Sequence, residues 1–171
     1  FPGMGPAATD GVVVRADCIG SIGTAASSGY DSEGRVATHE AGHWLGLYHT
    51  WGDDNGACNG TDYVSDTPNS ADADYGCPSF PSVSCSNGPN GDMFSNYMDY
   101  SDGTCQNLFT NGQKARIDAV LSVSRYAITT NSNLVATGTN EQPPPLCAPL
   151  AEFAPDEYSL CAGDSVSFTD L

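Results

Sequence analysis

The feature of this chain that most limits its fold is the stretch at residues 39–49, which reads His-Glu-Ala-Gly-His-Trp-Leu-Gly-Leu-Tyr-His. His39 and His43 stand four residues apart, so on a helix their side chains project from the same face, one turn apart. Gly46 lets the chain leave that helix through a left-handed turn, which a Cβ would disfavour. This turn brings His49 towards the other two histidines. The spacing therefore predicts a helix that ends near Trp44 and three imidazoles that meet at one place.

Three imidazoles in this arrangement predict a zinc site with an open coordination position. Zinc in catalytic sites is held by three protein ligands and keeps its fourth position for water. Glu40 lies between the first two histidines, where its carboxylate can take a proton from that water. The stretch thus points to metal-assisted hydrolysis, with His39, His43 and His49 as zinc ligands and Glu40 as general base. A degenerate site that binds zinc without activity is the main alternative.

The charge of the chain excludes several classes of partner. Its 171 residues include 21 acidic and 5 basic side chains, a net charge of −16. Nucleic acid and anionic membrane surfaces both need basic patches, so neither is expected as a partner. No apolar run reaches the ~18 residues that a membrane helix requires. Six aspartates between positions 53 and 74 are compatible with a calcium site or with a solvated acidic loop, and composition does not choose between them.

The cysteines indicate an oxidising compartment and a loop region that is cross-linked by disulfides. Seven cysteines are present, and four of them follow the histidine stretch: Cys58, Cys77, Cys85 and Cys105. They lie in a segment rich in Gly, Asn, Asp, Pro and Ser, which buries little apolar surface and therefore needs covalent support. Four cysteines allow three pairings, and their spacing alone does not select one.

Local patterns predict the order of elements along the chain. Residues 11–16 have the composition of a short β-strand. A helix is expected to begin near residues 32–34 and to include the first two histidines. Residues 52–94 show almost no periodicity, which favours a functional loop region held by disulfides and calcium, with disorder as the alternative. A second helix is capped by Thr110, with Gln113 in the capping-box position, and continues to about Ser124.

The C-terminal part predicts a domain boundary. Residues 129–146 are polar and end in a run of prolines, which is typical of a linker. Residues 147–171 alternate in a way that suits the first strands of a β-sandwich, in which Cys147 and Cys161 could pair. Both ends of the chain have the character of internal sequence, so we expect a piece of a longer secreted protein.

Several separated motifs resemble the pappalysin family of metzincin zinc proteases over residues 10–121. They comprise Gly34-Arg35, residues 39–49, Trp51-Gly52, Asp66-Thr67-Pro68 with flanking cysteines, Asn96-Tyr97-Met98-Asp99-Tyr100, and Phe109-Thr110 with Gln113 and Arg116. The resemblance implies an α+β fold in which residues 1–128 form the C-terminal part of a metzincin-type catalytic domain. That domain has an α/β-like upper subdomain, an active-site helix and an irregular lower subdomain cross-linked by disulfides. Residues 12–14 would represent the sheet edge that substrates pair with. The segment from Cys161 to Asp170 resembles the start of a PKD-type β-sandwich, a module often found on secreted bacterial proteases.

The resemblance also implies roles for individual residues. Met98 corresponds to the methionine of the Met-turn beneath the histidines, and Tyr100 to a tyrosine whose hydroxyl stabilises the oxyanion. Relatives carry calcium near the Asp-Thr-Pro segment, which here points to Asp62, Asp66 and Thr67. The family's disulfide pattern, first with third and second with fourth, implies Cys58–Cys85 and Cys77–Cys105.

These observations together predict a secreted, zinc-dependent endopeptidase that hydrolyses peptide bonds in proteins, of bacterial origin. A matrixin or an astacin fits the downstream motifs poorly. The remaining alternative from another class is a non-catalytic secreted adhesin, or binding protein, that carries a degenerate metzincin domain.

Overall fold

The computed structural model describes residues 1–3, 5–6, 9–26, 33–139, 153–155 and 168–170, the last two ranges by their backbone only. The chain divides into two compact units, Phe1–Thr129 and Thr130–Leu171. Cys147, Cys161 and most of the predicted β-sandwich segment lie outside the described residues.

The first unit consists of two α-helices and several 3₁₀ turns joined by long loops, and the second has only short elements. Helix α1 is Arg35–Trp44 and helix α2 is Asn111–Ser122, and 3₁₀ helices form at Ala16–Cys18, Gly23–Ala26 and Tyr126–Thr129. In the second unit, helix α3 is Asn131–Thr137, inside the segment predicted as a linker. Strands β1 (Phe153–Pro155) and β2 (Phe168–Asp170) pair antiparallel, with Phe153 opposite Asp170. Both predicted helices of the first unit are present.

The predicted strand at residues 11–16 is wrong. Residues 11–14 form no strand and have no β-pairing to any described residue, and residues 16–18 are a 3₁₀ helix. A β-strand is defined by hydrogen bonds to a neighbouring strand. Three consecutive valines give the local preference for an extended chain, but no described segment lies alongside to pair with it.

Helix α1 ends in the left-handed turn that was predicted from Gly46. Gly46 has a φ of +88°. Its N–H donates to the carbonyl of His43 at 2.9 Å, and the Leu47 N–H donates to the carbonyl of Gly42 at 2.9 Å. These two bonds form a Schellman motif, the usual way in which a left-handed residue closes a helix. A Cβ on Gly46 would stand 2.9 Å from the Val120 side chain of α2, so the turn is also packed tightly.

Two arginines fix the C-terminal end of α1. The guanidinium of Arg125 donates to the Trp44 carbonyl at 2.8 Å, stacks on the Trp44 ring and forms an ion pair with Asp10. Arg116, on α2, donates to the Gly46 carbonyl at 2.6 Å. Cationic groups at a helix C-terminus satisfy its free carbonyls and oppose its partial negative charge. Two of the chain's five basic residues thus hold the turn between the second and third histidines.

Disulfides and carboxylates, rather than an apolar core, organise the loop region at residues 52–94. Disulfides join Cys58 to Cys85 and Cys77 to Cys105, which is the pairing that the family resemblance implies. The carboxylate of Asp54 accepts backbone N–H groups of Ala57, Asn59 and Gly60. Side-chain acceptors of this kind replace the backbone pairing that the loops lack.

The segment at residues 96–100, called the Met-turn segment below, is fixed by a reciprocal amide pair. Nδ2 of Asn96 donates to Oε1 of Gln113 at 2.7 Å, and Nε2 of Gln113 donates to Oδ1 of Asn96 at 3.0 Å. Both residues are fully buried. Gln113 also completes the predicted capping box by accepting the Thr110 N–H, while Thr110 Oγ1 accepts the Gln113 N–H. The Gln113 side chain therefore both caps the N-terminus of α2 and attaches this helix to the Met-turn segment.

The Asp99 carboxylate joins two other parts of the chain, at Thr50 and Asp74, to the Met-turn segment. Its buried carboxylate accepts the Thr50 hydroxyl at 3.0 Å, the Asp74 N–H at 2.9 Å and the Tyr100 N–H at 2.6 Å. Burial raises the pKa of Asp99 to about 6, although these donors oppose the rise. The residue after the third histidine, the disulfide-linked loop and Tyr100 are thereby held at one carboxylate.

We expect Gln113→Met to destabilise the protein by about 2 kcal/mol or more, because it leaves the Thr110 N–H and the Asn96 amide without buried partners. The matched control is Lys114→Met on the exposed face of the same helix, which should change the free energy of unfolding by less than about 0.5 kcal/mol. Urea unfolding of both variants measures the difference. Equal stability of the two variants would contradict the role of the amide pair.

Asp99→Asn should gain stability relative to the parent protein as the pH rises. Asn keeps the acceptor for the two N–H groups, and its amide can donate to the Thr50 hydroxyl. In the parent protein the raised pKa of Asp99 means that its stabilising contribution is complete below about pH 4 and is lost as the pH rises through about 6. The difference in unfolding free energy between variant and parent should therefore grow over this range, by about 2 to 3 kcal/mol.

Denaturant titrations of metal-free protein between pH 4 and 7 measure this difference. Asp118→Asn removes an exposed carboxylate from α2 and should give a nearly constant difference across the range. A flat profile for Asp99→Asn would mean that Asp99 titrates alike in the folded and unfolded states.

Candidate active site

The three histidines of the chain meet at one place. His39 and His43 project from α1, and the Schellman turn at Gly46 returns His49 to the same face. One ring nitrogen of each lies within 4.8 Å of the others, and Nε2 of His43 is 3.0 Å from Nε2 of His49. Within the part of the chain that the structure describes, this is the only group of three or more His, Cys, Asp or Glu side chains close enough to hold a metal ion.

The hydrogen bonds of the imidazoles direct one nitrogen of each ring to the centre. Nδ1 of His39 donates to the Tyr97 carbonyl at 2.7 Å, and Nδ1 of His43 donates to the Leu47 carbonyl at 2.9 Å. Nδ1 of His49 faces Oδ1 of Asp53 at 2.7 Å. Since all three partners are acceptors, each Nδ1 carries the proton and each Nε2 keeps its lone pair. Three neutral imidazoles with their Nε2 atoms turned inward fit a metal ion.

Burial keeps the imidazoles of His39 and His49 in the form that binds metal. Desolvation, and then the neighbouring His43, lowers the pKa of His39 to about 4. Burial also lowers the pKa of His49, while the Asp53 carboxylate opposes that shift. A metal ligand must be deprotonated, so at neutral pH these two rings can bind a metal ion without first losing a proton.

Glu40 lines a cavity of about 440 Å³ together with His39 and Tyr100. The cavity continues past Arg35 and Val36 of α1 to the segment after the Met-turn, Ser101, Asp102, Gly103 and Gln106. Glu40 is half-buried, and its negative charge acts on both His49 and Tyr100. The Glu40 side chain thus lies at the cavity wall together with His39.

Tyr100 lies beside two of the three histidines. Its ring centroid is 4.9 Å from that of His49 and 5.4 Å from that of His39. Burial, followed by the charges of Asp53 and Glu40, raises the pKa of Tyr100. The phenol therefore keeps its proton at neutral pH and can donate a hydrogen bond into the cavity.

Met98 packs under α1, between its two histidines. Its side chain is fully buried, and a Cβ on Gly42 would stand 2.4 Å from the Met98 sulfur. Sequence reasoning did not single out Gly42. The sequence signal that could have identified Gly42 is its position between His39 and His43. Only a residue without a side chain there allows Met98 to approach the helix backbone.

Of the three residues expected at a calcium site, Asp62 and Thr67 contact each other, whereas Asp66 contacts the start of α2. The buried Asp62 carboxylate accepts the Thr67 hydroxyl at 2.7 Å and the Val64 N–H at 3.0 Å. Asp66 accepts the Thr110 hydroxyl at 2.7 Å and the Gly112 N–H at 2.9 Å, at the N-terminus of α2. These two donors lower the pKa of Asp66, whereas burial raises the pKa of Asp62. The attachment of the loop to α2 through Asp66 was not predicted.

Two further residues near the metal position were given no role there by sequence reasoning. The Trp51 ring stacks on His49 with centroids 4.2 Å apart and planes inclined by 7°, and Asp53 contacts the same imidazole. Two aspartates, Asp99 and Asp102, line the cavity, whereas Asp118 pairs with Lys114 on the outside of α2.

Comparisons with known proteins identify related metalloproteases. Residues 15–122 match the family peptidase M43, described as pregnancy-associated plasma protein-A. An extracellular metalloprotease of Pyricularia oryzae is 50% identical over 93 residues, covering 54% of this chain and 31% of the relative. That of Verticillium alfalfae is 43% identical over 117 residues, covering 68% of this chain and 38% of the relative. Both relatives are fungal, so they lend no support to the expected bacterial origin.

Solved structures are also similar to this chain. Mature mirolysin of Tannerella forsythia in complex with a cleaved peptide is 50% identical, with a TM-score of 0.54, over 58% of this chain and 36% of that chain. The chain spans about a third of the length of the curated relatives it matches. No helix among the described residues is long and apolar enough to cross a membrane. With the family profile matched from Arg15 to Ser122 around a converged histidine triad, the chain belongs to the peptidase M43, or pappalysin, family of metalloproteases.

Proposed function

We propose that this chain carries the metal-binding half of a secreted zinc endopeptidase. The observation that carries the proposal is the convergence of three inward-facing Nε2 atoms close to Glu40. Glu40 and His39 line an open cavity that could receive a substrate. Zinc suits three imidazoles with an open position, and relatives named extracellular metalloproteases support both the activity and secretion.

Zinc would be held by Nε2 of His39, His43 and His49. When bound, it supplies a Lewis acid that polarises the peptide carbonyl and acidifies water. Glu40 accepts the proton of the attacking water and later delivers it to the leaving amine. The Tyr100 hydroxyl donates to the oxygen that becomes negative in the transition state.

The substrate would lie extended across the cavity. Residues 12–14 make no backbone hydrogen bond to the other described residues, and Val13 is largely exposed. Free N–H and C=O groups of this kind can pair with a peptide strand. Tyr75 and the segment after the Met-turn also line the cavity, which would receive a substrate side chain.

The domain assignment is part of the proposal. Residues 1–128 would belong to the catalytic domain and residues 129–146 would connect it to a PKD-type module that begins at residue 147. The sequence pattern supports this division. The adhesin alternative is less favourable, because a binding protein has no need of a general base beside three converged ligands.

Calcium near Asp62, Asp66 and Thr67 is a further part of the proposal. A carboxylate oxygen has two lone pairs, so one that accepts a hydrogen bond can still contact a cation. Buried oxygens of Asn69, Ser70 and Asp74, further along the same loop, have no hydrogen-bond partner among the described residues. Unsatisfied buried oxygens in an acidic loop support a cation in this region.

We expect Glu40→Gln to leave zinc bound and to reduce proteolysis by about 10²- to 10⁴-fold, the usual contribution of a general acid–base. The control is Glu33→Gln, which removes the same charge from an exposed position ahead of α1. Metal content and casein hydrolysis are measured on the intact protein. Turnover of the Glu40 variant at the parent rate would rule out its proposed role.

Calcium in hundredfold excess over its Kd should raise the Tm by about 5 to 10 °C. Asp62→Asn should abolish this calcium-dependent shift, whereas Asp72→Asn, an exposed position in the same loop, should keep it. Thermal unfolding with and without calcium measures the shift. No shift in the parent protein at millimolar calcium would refute the site.

A further inference from the structure

His49 differs from the other two histidines in what holds its ring. Nδ1 of His39 and Nδ1 of His43 donate to backbone carbonyls. Nδ1 of His49 instead meets a side-chain carboxylate, Asp53 Oδ1, at 2.7 Å. The orientation of this third ligand therefore depends on a group that a single substitution can remove.

A second side chain limits rotation of the same ring. Trp51 is 5% exposed and lies parallel to the His49 imidazole, with centroids 4.2 Å apart. Tyr100 contacts both rings edge-on, at 4.9 Å from His49 and 4.8 Å from Trp51. A flat contact of this kind fixes the ring plane but leaves rotation within the plane free. The Asp53 carboxylate removes that freedom, because it selects which nitrogen faces inward.

The backbone around Asp53 is itself held on both sides. Gly52 has a φ of +68°, and a Cβ there would stand 2.3 Å from the Thr61 nitrogen, so residues 52 and 61 are in direct backbone contact. On the other side, the Asp54 carboxylate accepts the N–H groups of Asn59 and Gly60 at 2.6 Å each. The Asp53 side chain is 57% exposed, yet its backbone is anchored at both neighbours. Anchoring lowers the entropy lost when the carboxylate holds the imidazole.

We propose that Asp53 and Trp51 are positioning residues that hold the His49 imidazole with its Nε2 directed at the zinc position. The proposal rests on the proposed function, since it assigns these residues a role towards the same metal. A carboxylate on the outer nitrogen of a metal-binding imidazole fixes the tautomer and strengthens the ring as a donor. Asp53 does this from a turn, four residues after its histidine.

Removal of the carboxylate should weaken zinc binding more than it weakens the fold. Asp53 has a φ of +54°, which glycine and asparagine tolerate better than alanine. Asp53→Gly therefore deletes the side chain without backbone strain, and Asp53→Asn keeps an acceptor without the charge. Asn55→Gly is the matched control, because Asn55 is exposed, has a φ of +56° and lies two residues away.

The experiment measures the zinc Kd of the intact protein and these three variants by competition with a chromogenic chelator. We expect Asp53→Gly to weaken binding by about 10- to 100-fold, with Asp53→Asn recovering most of the loss and Asn55→Gly unchanged. The visible absorption of the cobalt(II)-substituted proteins should change for Asp53→Gly alone, since it reports the orientation of the ligands. Metal-free unfolding midpoints of the two glycine variants should agree.

Each other outcome overturns the proposal. Equal zinc affinity of Asp53→Gly and Asn55→Gly would show that Asp53 does not position the ligand. A lower metal-free midpoint for Asp53→Gly that accounts for its whole loss of affinity would make Asp53 a structural residue. Failure of the parent protein to bind zinc at all would refute the proposed function as well, which separates the two conclusions.

Discussion

The architecture depends on one constraint: three imidazoles must meet with the same nitrogen inward while a helix supplies only two of them. The left-handed Gly46 solves the geometric part by reversing the chain within one turn of His43. The Nδ1 acceptors solve the chemical part, because each fixes a tautomer. Two arginine guanidinium groups then hold the carbonyls of that turn, so the geometry of the ligands follows from hydrogen bonds as much as from packing.

Next to α1, buried polar side chains fix the packing of neighbouring segments, a role that apolar side chains have in most domains. The fully buried residues include Asn96, Asp99 and Gln113 beside Leu47 and Met98. Amides and carboxylates place their partners in definite directions, whereas apolar contacts are non-directional. The Met-turn segment is thereby fixed to α2 through Gln113 and to the residue after the third histidine through Asp99. A site that relies on ligand orientation gains from such directional contacts.

The loop region shows how a chain with little apolar surface is kept in one conformation. Two disulfides close loops of similar length, and carboxylates such as Asp54 and Asp66 accept backbone N–H groups that no helix or strand pairs. The acidic composition is thus partly explained, because these aspartates act as local hydrogen-bond acceptors. The turn that carries Asp53 belongs to this region, which connects loop stability to the orientation of His49.

The sequence by itself determined the local features: the span of α1, the left-handed Gly46, the capping box of Thr110 and Gln113, and the family of the chain. Each depends on residues within a few positions of one another, so spacing and residue type are enough. Tertiary structure decided the rest. It left residues 11–14 without a described strand partner, required glycine at position 42 because Met98 approaches from 56 residues away, and paired Gln113 with Asn96. These outcomes depend on which distant segments come into contact, and a local pattern does not contain that information.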